Sequence, residues 1–274
     1  MTARPMGTVI FIGAGPGAAD LITVRGAQRL AMADVVLFDA LTDPALRQYA
    51  PQAEWIDVGK RGFCHATGQA TIDALLVRCA RQHAVVVRLK GGDPSIFGRL
   101  EEELQALAAQ GIAAEVVPGV TAAIAAAAAT QRPLTRRGAG RSVSLSTAMT
   151  REGSLQATRS ADTEVFYMAG RQLAALGRRL QAAGWAPDTP VCVVSRAGWP
   201  DQLASDHTPA SLAEAALLHA GRPTVVTVGA GARPVAGERR GEGQGQSRRA
   251  LRRPEATPSV AVDGHQGVIP ATAD

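Results

Sequence analysis

Hydrophobic positions along the chain fall into short β-branched runs separated by longer stretches of helical period. The runs are VIFI at 9–12, VVLF at 35–38, VVVRL at 85–89 and AEVV at 114–117, then SVSLS at 142–146, TEVFYM at 163–168, VCVVS at 191–195 and TVVTV at 224–228. Apolar residues at helical spacing predict helices near 24–32, 70–82, 101–110, 171–183 and 210–219, the third stopped by Gly111. The alternation predicts an α/β fold with a mostly parallel sheet in its first half. Pro118-Gly119 lies between the two series and predicts a boundary there, giving an amino-terminal α/β domain over 7–118 and a carboxyl-terminal one over 119–233. After Gly231 the periodicity stops, and 234–274, including GERRGEGQGQSRRALRRP, reads as a disordered tail.

Composition narrows the class. The chain has 274 residues, 46% of them hydrophobic, enough for one large α/β domain or two modest ones. No run approaches the roughly eighteen apolar residues of a membrane span. The opening MTARPMGTVIFIG leads directly into a strand, so neither a signal peptide nor a membrane association is expected, and the location expected is cytoplasmic. Cys64, Cys79 and Cys192 are widely spaced and form no CxxC pair; no disulfide framework and no metal site is expected.

The formal charge is +5, but the tail, with six arginines against five acidic residues, carries little of it. A moderately basic body fits nucleic acid, an acidic membrane surface or a polyanionic small molecule. The tail lacks aromatic interleaving, which speaks against nucleic acid. Only two of the 29 basic residues are lysines, Lys60 and Lys90, and both sit in glycine-containing loops. An ammonium can move protons where a guanidinium cannot, which singles them out.

Three glycine loops follow strand-like runs. Gly13-Ala14-Gly15-Pro16-Gly17 has the look of a dinucleotide fingerprint, with Asp39 standing where a ribose-binding acid would. Its G-x-G-P-G spacing and the interposed Ala18–Thr23 depart from that fingerprint, and a tight strand-to-helix turn explains the glycines equally well. Arg88 to Arg99, RLKGGDPSIFGR, supplies a rigid open backbone at a strand's carboxyl end, the usual ligand position in an open α/β sheet. Pro118-Gly119-Val120-Thr121-Ala122-Ala123 opens an alanine run to Ala129, where small side chains serve either backbone approach to a ligand or close helix packing.

Together GAGPG, Asp39-Ala40-Leu41, Val58-Gly59-Lys60-Arg61, RLKGGDPSIFGR, EVVPGVTAA, Pro133-Leu134-Thr135 and Val165-Phe166-Tyr167-Met168 resemble, in order and spacing, the tetrapyrrole methylase family. The likeness covers about 7–232 and is greatest to the branch that methylates uroporphyrinogen III. It implies two α/β domains, the second with a mixed sheet, holding S-adenosylmethionine between them in a homodimer. It implies a cofactor site lined by Pro16, Gly91, Gly92, Asp93, Ile96, Thr121, Ala122, Met168, Ala197 and Thr224, with Asp93 an acceptor for a polar part of the cofactor. It assigns the general base to Asp39 and the proton donor to Lys60, in place of a turn cap and a surface cation. Alkylating an electron-rich ring carbon requires proton rearrangement, which an acid and a base serve.

Uroporphyrinogen III is a polycarboxylate, so Arg61, Arg99, Arg132, Arg136, Arg137 and Arg141, in or beside these loops, are candidates to bind it by charge-assisted hydrogen bonds. The implied activity is transfer of two methyl groups from S-adenosylmethionine, giving precorrin-2 for sirohaem or cobalamin synthesis. Alternatives are a later precorrin methyltransferase, a nicotinamide-dependent oxidoreductase built on GAGPG, or a binding protein that keeps the fold without turnover. Three departures bear on these. Arg136 stands where the family has histidine in PLTHR, Thr147-Ala148-Met149 where it has Thr-Gly-His, and Leu100-Glu101 where it has a glycine pair. The first two remove imidazoles and the third stiffens a loop.

Overall fold

The computed structural model describes residues 6–59, 68–148 and 154–235. Lys60, Arg61, Cys64, Met149 and the tail from 236 lie outside the described residues.

The first sheet contains β1 (Thr8–Gly13), β2 (Val35–Phe38), β3 (Glu54–Asp57), β4 (Val85–Lys90) and β5 (Ala114–Val117), in the order β3-β2-β4-β1-β5. Every pairing is parallel. Its central strands are mostly apolar on both faces because both are covered. Val9, Phe11, Val35, Leu37 and Val86 pack with Ile72 and Leu76 of α2 (Gln69–Gln82) and Leu107 of α3 (Leu100–Ala108). Ile10, Ile12, Val36, Val87 and Leu89 face the other way, against Leu30 of α1 (Val24–Leu30) and Leu46 of the 3-10 turn Pro44–Tyr49. The predicted strands are present, and the predicted helices form with ends shifted by a residue or two.

The second sheet is mixed, as the resemblance implies. It runs β6-β7-β10-β8-β9 with β6 (Val143–Thr147), β7 (Thr163–Tyr167), β8 (Val191–Ser195), β9 (Leu203–His207) and β10 (Thr224–Gly229). Only β6 and β7 are parallel. The alanines of α4 (Ala122–Ala129) cover one face against Val165, Val194 and Val225. On the other face Leu173, Leu176 and Leu180 of α5 (Leu173–Ala182) pack with Leu212 and with Ala215 of α6 (Ala215–Leu218). The helix predicted at 210–219 is broken: a 3-10 turn over Leu212–Glu214 runs into the short α6. Strands β3 (EWID) and β9 (LASDH) were not predicted; both are edge strands, whose exposed polar residues carry no apolar run. No helix among the described residues is long and apolar enough to cross a membrane.

Candidate active site

Strand order explains why the three glycine loops belong together. They leave the carboxyl ends of β4, β1 and β5, which are neighbours in the first sheet. The loops touch at backbone distance. Gly15 and Gly92 exchange hydrogen bonds, 3.2 Å from Gly15 N to Gly92 O and 2.7 Å from Gly92 N to Gly15 O. A Cβ on Gly119 would stand 2.3 Å from Gly92 O and 2.7 Å from Gly13 Cα, so no larger residue fits there. Gly15 and Gly92 also have φ of 79° and 70°, which glycine adopts without strain. Asp93 fastens the assembly: Oδ1 accepts from Ser95 N at 2.8 Å and Oδ2 from Gly119 N at 2.9 Å. Both oxygens of the carboxylate expected to face the cofactor are thus already engaged with the loops.

The second sheet contributes the opposite wall. Because β10 runs antiparallel between β7 and β8, its first residues sit beside their last ones: Thr224 pairs with Ser195 and Val225 with Tyr167. Met168, Ala197 and Thr224 therefore gather at one edge. The Tyr167 hydroxyl lies 2.7 Å from Thr121 Oγ1 and accepts from Ala123 N at 3.1 Å, satisfying an orphan N–H at the start of α4. Trp199 Nε1 donates to Pro16 O at 3.1 Å, and Gly17 is glycine because a Cβ there would meet the Trp199 ring at 2.2 Å.

Between these walls lies a cavity of about 280 Å³. Pro16, Gly91, Gly92, Asp93, Ile96, Thr121, Ala122, Met168, Ala197 and Thr224, the set implied by the family resemblance, all line it. Leu41, Phe97, Tyr167, Arg196 and Trp199 also line it and were missed as site residues. Tyr167 and Phe97 stood inside quoted motifs, whereas Trp199 gave only the signal of an aromatic between a glycine and a proline after a strand. Phe97, Met168 and Arg196 adopt positive φ of 52°, 60° and 52°. Such strain in non-glycine residues persists where surrounding structure imposes it, and it clusters at ligand sites. Apolar side chains and exposed loop backbone suit an adenine and a methionine chain. The loop after β1 does not open a helix; a 3-10 turn at Ala19–Leu21 precedes α1, so no helix N-terminus is offered there to a pyrophosphate.

Asp39 follows β2 at the same carboxyl edge, two residues before Leu41. Arg88 Nη2 donates to its Oδ1 at 2.6 Å, and its side chain is 31% exposed. Gly59 presses on Ala40, where a Cβ would stand 2.1 Å from Ala40 N; the next residue, Lys60, is outside the described residues. Of the candidate substrate arginines, Arg99 ends the cavity loop and pairs with Glu102 through Nε at 2.9 Å and Nη2 at 2.5 Å. Arg132 is buried and joined to Asp206, with Nη2 donating to Oδ2 at 2.9 Å, and Arg136 donates to the carbonyl of Arg233. Arg137 and Arg141 are exposed near the 136–140 turn. Neither Arg132 nor Arg136 lines the cavity. In place of the family's glycine pair, Leu100 and Glu101 begin α3 directly, with Arg99 at its N-cap and φ of 55°.

Comparison with known proteins agrees with this geometry. The family model for tetrapyrrole (corrin/porphyrin) methylases matches residues 8–216. The uroporphyrinogen-III C-methyltransferase of Pseudomonas aeruginosa is 46% identical over 195 residues, covering 70% of this chain and 80% of that protein. The siroheme synthase of Neisseria meningitidis serogroup B is 43% identical over 229 residues, which are 81% of this chain but only 47% of that protein. Among solved structures, the uroporphyrin-III C-methyl transferase of Thermus thermophilus complexed with S-adenyl homocysteine superposes with a TM-score of 0.72 at 34% identity, over 81% of this chain and 97% of that one. With a glycine-loop edge facing a mixed sheet across one cavity, and a family match spanning most of both sheets, this chain belongs to the tetrapyrrole methylases.

Proposed function

We propose that the protein is an S-adenosylmethionine-dependent C-methyltransferase that methylates uroporphyrinogen III twice, giving precorrin-2 through precorrin-1. The observation that carries this is the convergence of ten residues from loops on both sheets on one cavity, in a chain 46% identical to a relative of that name. When bound, S-adenosylmethionine supplies an electrophilic methyl group. The chain's part is to hold the acceptor carbon in line and to handle protons. Asp39 takes the proton that leaves as the new carbon–carbon bond forms, and Lys60 returns one to the macrocycle. Arg61, with the exposed Arg137 and Arg141, receives substrate carboxylates, as does Arg99, whose exposed side chain exchanges Glu102 for them; Arg132 is buried against Asp206 and Arg136 donates to Arg233 O. We also infer two domains divided at 118/119, a homodimer, supported by the exposed Val24, Val116 and Ile124, and a cytoplasmic location.

The test is anaerobic incubation of the pure protein with uroporphyrinogen III and S-adenosylmethionine, following methylated chromophores. Two methylations are expected; a folded protein that gives none overturns the activity. Calorimetry with S-adenosylhomocysteine and with NAD separates the classes, and preferential NAD binding would favour the oxidoreductase.

A further inference from the structure

Behind Asp39 lies a group of buried charges that the cavity does not use. Along β4, residues of one parity, Val87 and Leu89, pack toward α1, so Arg88 and Lys90 point to the α2/α3 face. There they meet Glu103 of α3, which is fully buried. Glu103 Oε1 accepts from Arg88 Nε at 3.1 Å and Oε2 from Lys90 Nζ at 2.7 Å, while both cationic side chains are only 3% exposed. Gln69 Nε2 adds a longer contact to Oε1 at 3.4 Å. Arg88 Nη1 donates to Leu37 O at 3.4 Å and Leu89 O at 3.3 Å. The remaining nitrogen, Nη2, reaches Asp39 Oδ1 at 2.6 Å. Charges alternate along the line Asp39, Arg88, Glu103, Lys90. Each member is buried or half-buried and has an opposite neighbour, the condition under which buried ions are tolerated.

Arg88 is thus held by three acceptors, Glu103 Oε1, Leu37 O and Leu89 O, and offers its remaining nitrogen to one oxygen of Asp39. The other, Oδ2, accepts no hydrogen bond from the described residues. A planar guanidinium locked in this way defines a direction, which a flexible ammonium would not. We propose that Arg88, braced by Glu103 and Lys90, is the positioning residue for Asp39: it clamps Oδ1, fixing the carboxylate, and leaves Oδ2 available for the proton. The proposal rests on the reading of Asp39 as the general base. It also gives Lys90 a role apart from proton transfer, as the second cation that keeps Glu103 in place.

Arg88→Lys tests it, because lysine cannot reach Asp39 and Glu103 together. With the whole chain, kcat for methylation is expected to fall tenfold to a hundredfold, while KM for uroporphyrinogen III and the Kd of S-adenosylhomocysteine stay within twofold. In an Asp39→Asn background, itself slow, the same substitution should change kcat less than twofold, since its effect acts through Asp39. Glu103→Gln, which loosens the brace but keeps Arg88, should lower kcat threefold to tenfold. A folded Arg88→Lys protein with normal kcat overturns the proposal. So does an equal fold-loss with and without Asp39, which would mark a purely structural role. If Arg88→Lys does not fold, the paired Arg88→Gln/Glu103→Gln change, which removes one charge of each sign, undergoes the same measurements with the same two overturning results. Asp39→Asn turning over as fast as the unmodified protein would instead overturn the base assignment and, with it, the clamp.

Discussion

Of the polar networks buried among the described residues, two, one under each sheet, solve the same problem in opposite ways. Under the first sheet four charged groups alternate in sign, and Glu103 neutralises two cations. Burial, and then the Arg88 charge, draw the Lys90 ammonium below its usual range against the opposing pull of Glu103. Under the second sheet the network is uncharged at its centre. The fully buried His219 has Nδ1 2.9 Å from Ser195 Oγ and Nε2 2.9 Å from Ser205 Oγ, which in turn lies 2.8 Å from His207 Nε2. In a neutral imidazole one nitrogen donates and the other accepts, and both serines can reciprocate. Arg222 Nε donates to Ser195 Oγ at 3.0 Å, bringing a positive charge to the edge of this network without an acid at its centre. A charge-compensated network is vulnerable to loss of one member; a network with a neutral histidine is vulnerable to acid.

The largest effect should come from breaking the first network asymmetrically. Glu103→Leu leaves two cations buried without their anion and should cost about 3–5 kcal/mol, read as a loss of urea midpoint with S-adenosylhomocysteine absent. Adding Arg88→Met and Lys90→Met should recover most of that stability, because the ions then leave together. Failure to recover would mean that the network contributes more than its own desolvation requires.

The second network predicts a pH effect of known sign. Burial first, then the charges of His207 and Arg222, push His219 down to about 4. Between that value and the unfolded pKa of about 6.5, the unfolded chain binds the proton and the folded one does not. Stability therefore falls as pH drops through this window, by at most about 3 kcal/mol, and is unaffected by this group above it. Urea titrations between pH 7 and 4 should show the slope, and His219→Gln, which can still donate and accept, should flatten it. An unchanged slope would assign the acid sensitivity to other groups.

The two regions also differ in how much of them the sequence revealed. The parallel sheet was legible because strands covered on both faces read as continuous apolar runs, and its glycine loops were visible as motifs. What was hidden is why those glycines are needed. Gly13, Gly92 and Gly119 are distant in sequence, and only the strand order β4-β1-β5 brings their backbones into contact. The cavity wall from the second sheet was legible at Met168, Ala197 and Thr224 only through resemblance, since the antiparallel insertion of β10 that gathers them leaves no local pattern. Edge strands β3 and β9 escaped because EWID and LASDH carry too few apolar residues to form a run. Asp93 showed as an acid in a loop, and nothing local said that its acceptors were taken by Ser95 and Gly119. Lys90 drew notice by its rarity, yet its partner Glu103 looked like one more acid of EEEL at a helix start.

Where the sheets meet, single hydrogen bonds between side chains and backbone replace both networks, and smaller effects are expected. Asp93→Asn exchanges one acceptor oxygen for a donor facing the N–H of Ser95 or Gly119. A loss of about 1–2 kcal/mol follows from one such bond, with roughly tenfold weaker S-adenosylhomocysteine binding in calorimetry. Binding unchanged by this substitution would show that the loop's shape does not depend on the Asp93 staple.

Trp199→Phe probes the same seam more gently. The phenyl ring still fills the space over Gly17, but the donor to Pro16 O is lost, leaving a half-buried carbonyl that water can reach. One neutral hydrogen bond is worth about 1 kcal/mol or less in net stability, a small shift beside those of Glu103 or His219. Its effect should concentrate on ligand binding, because Trp199 ties the loop after β1 to the loop after β8 and both line the cavity. A twofold to fivefold rise in the Kd of S-adenosylhomocysteine, with the pH dependence of stability unaltered, is the expected result. A change in the pH slope instead would mean that the Trp199 loop and the His219 network, linked through Arg196, Asp201 and Arg222, respond as one unit.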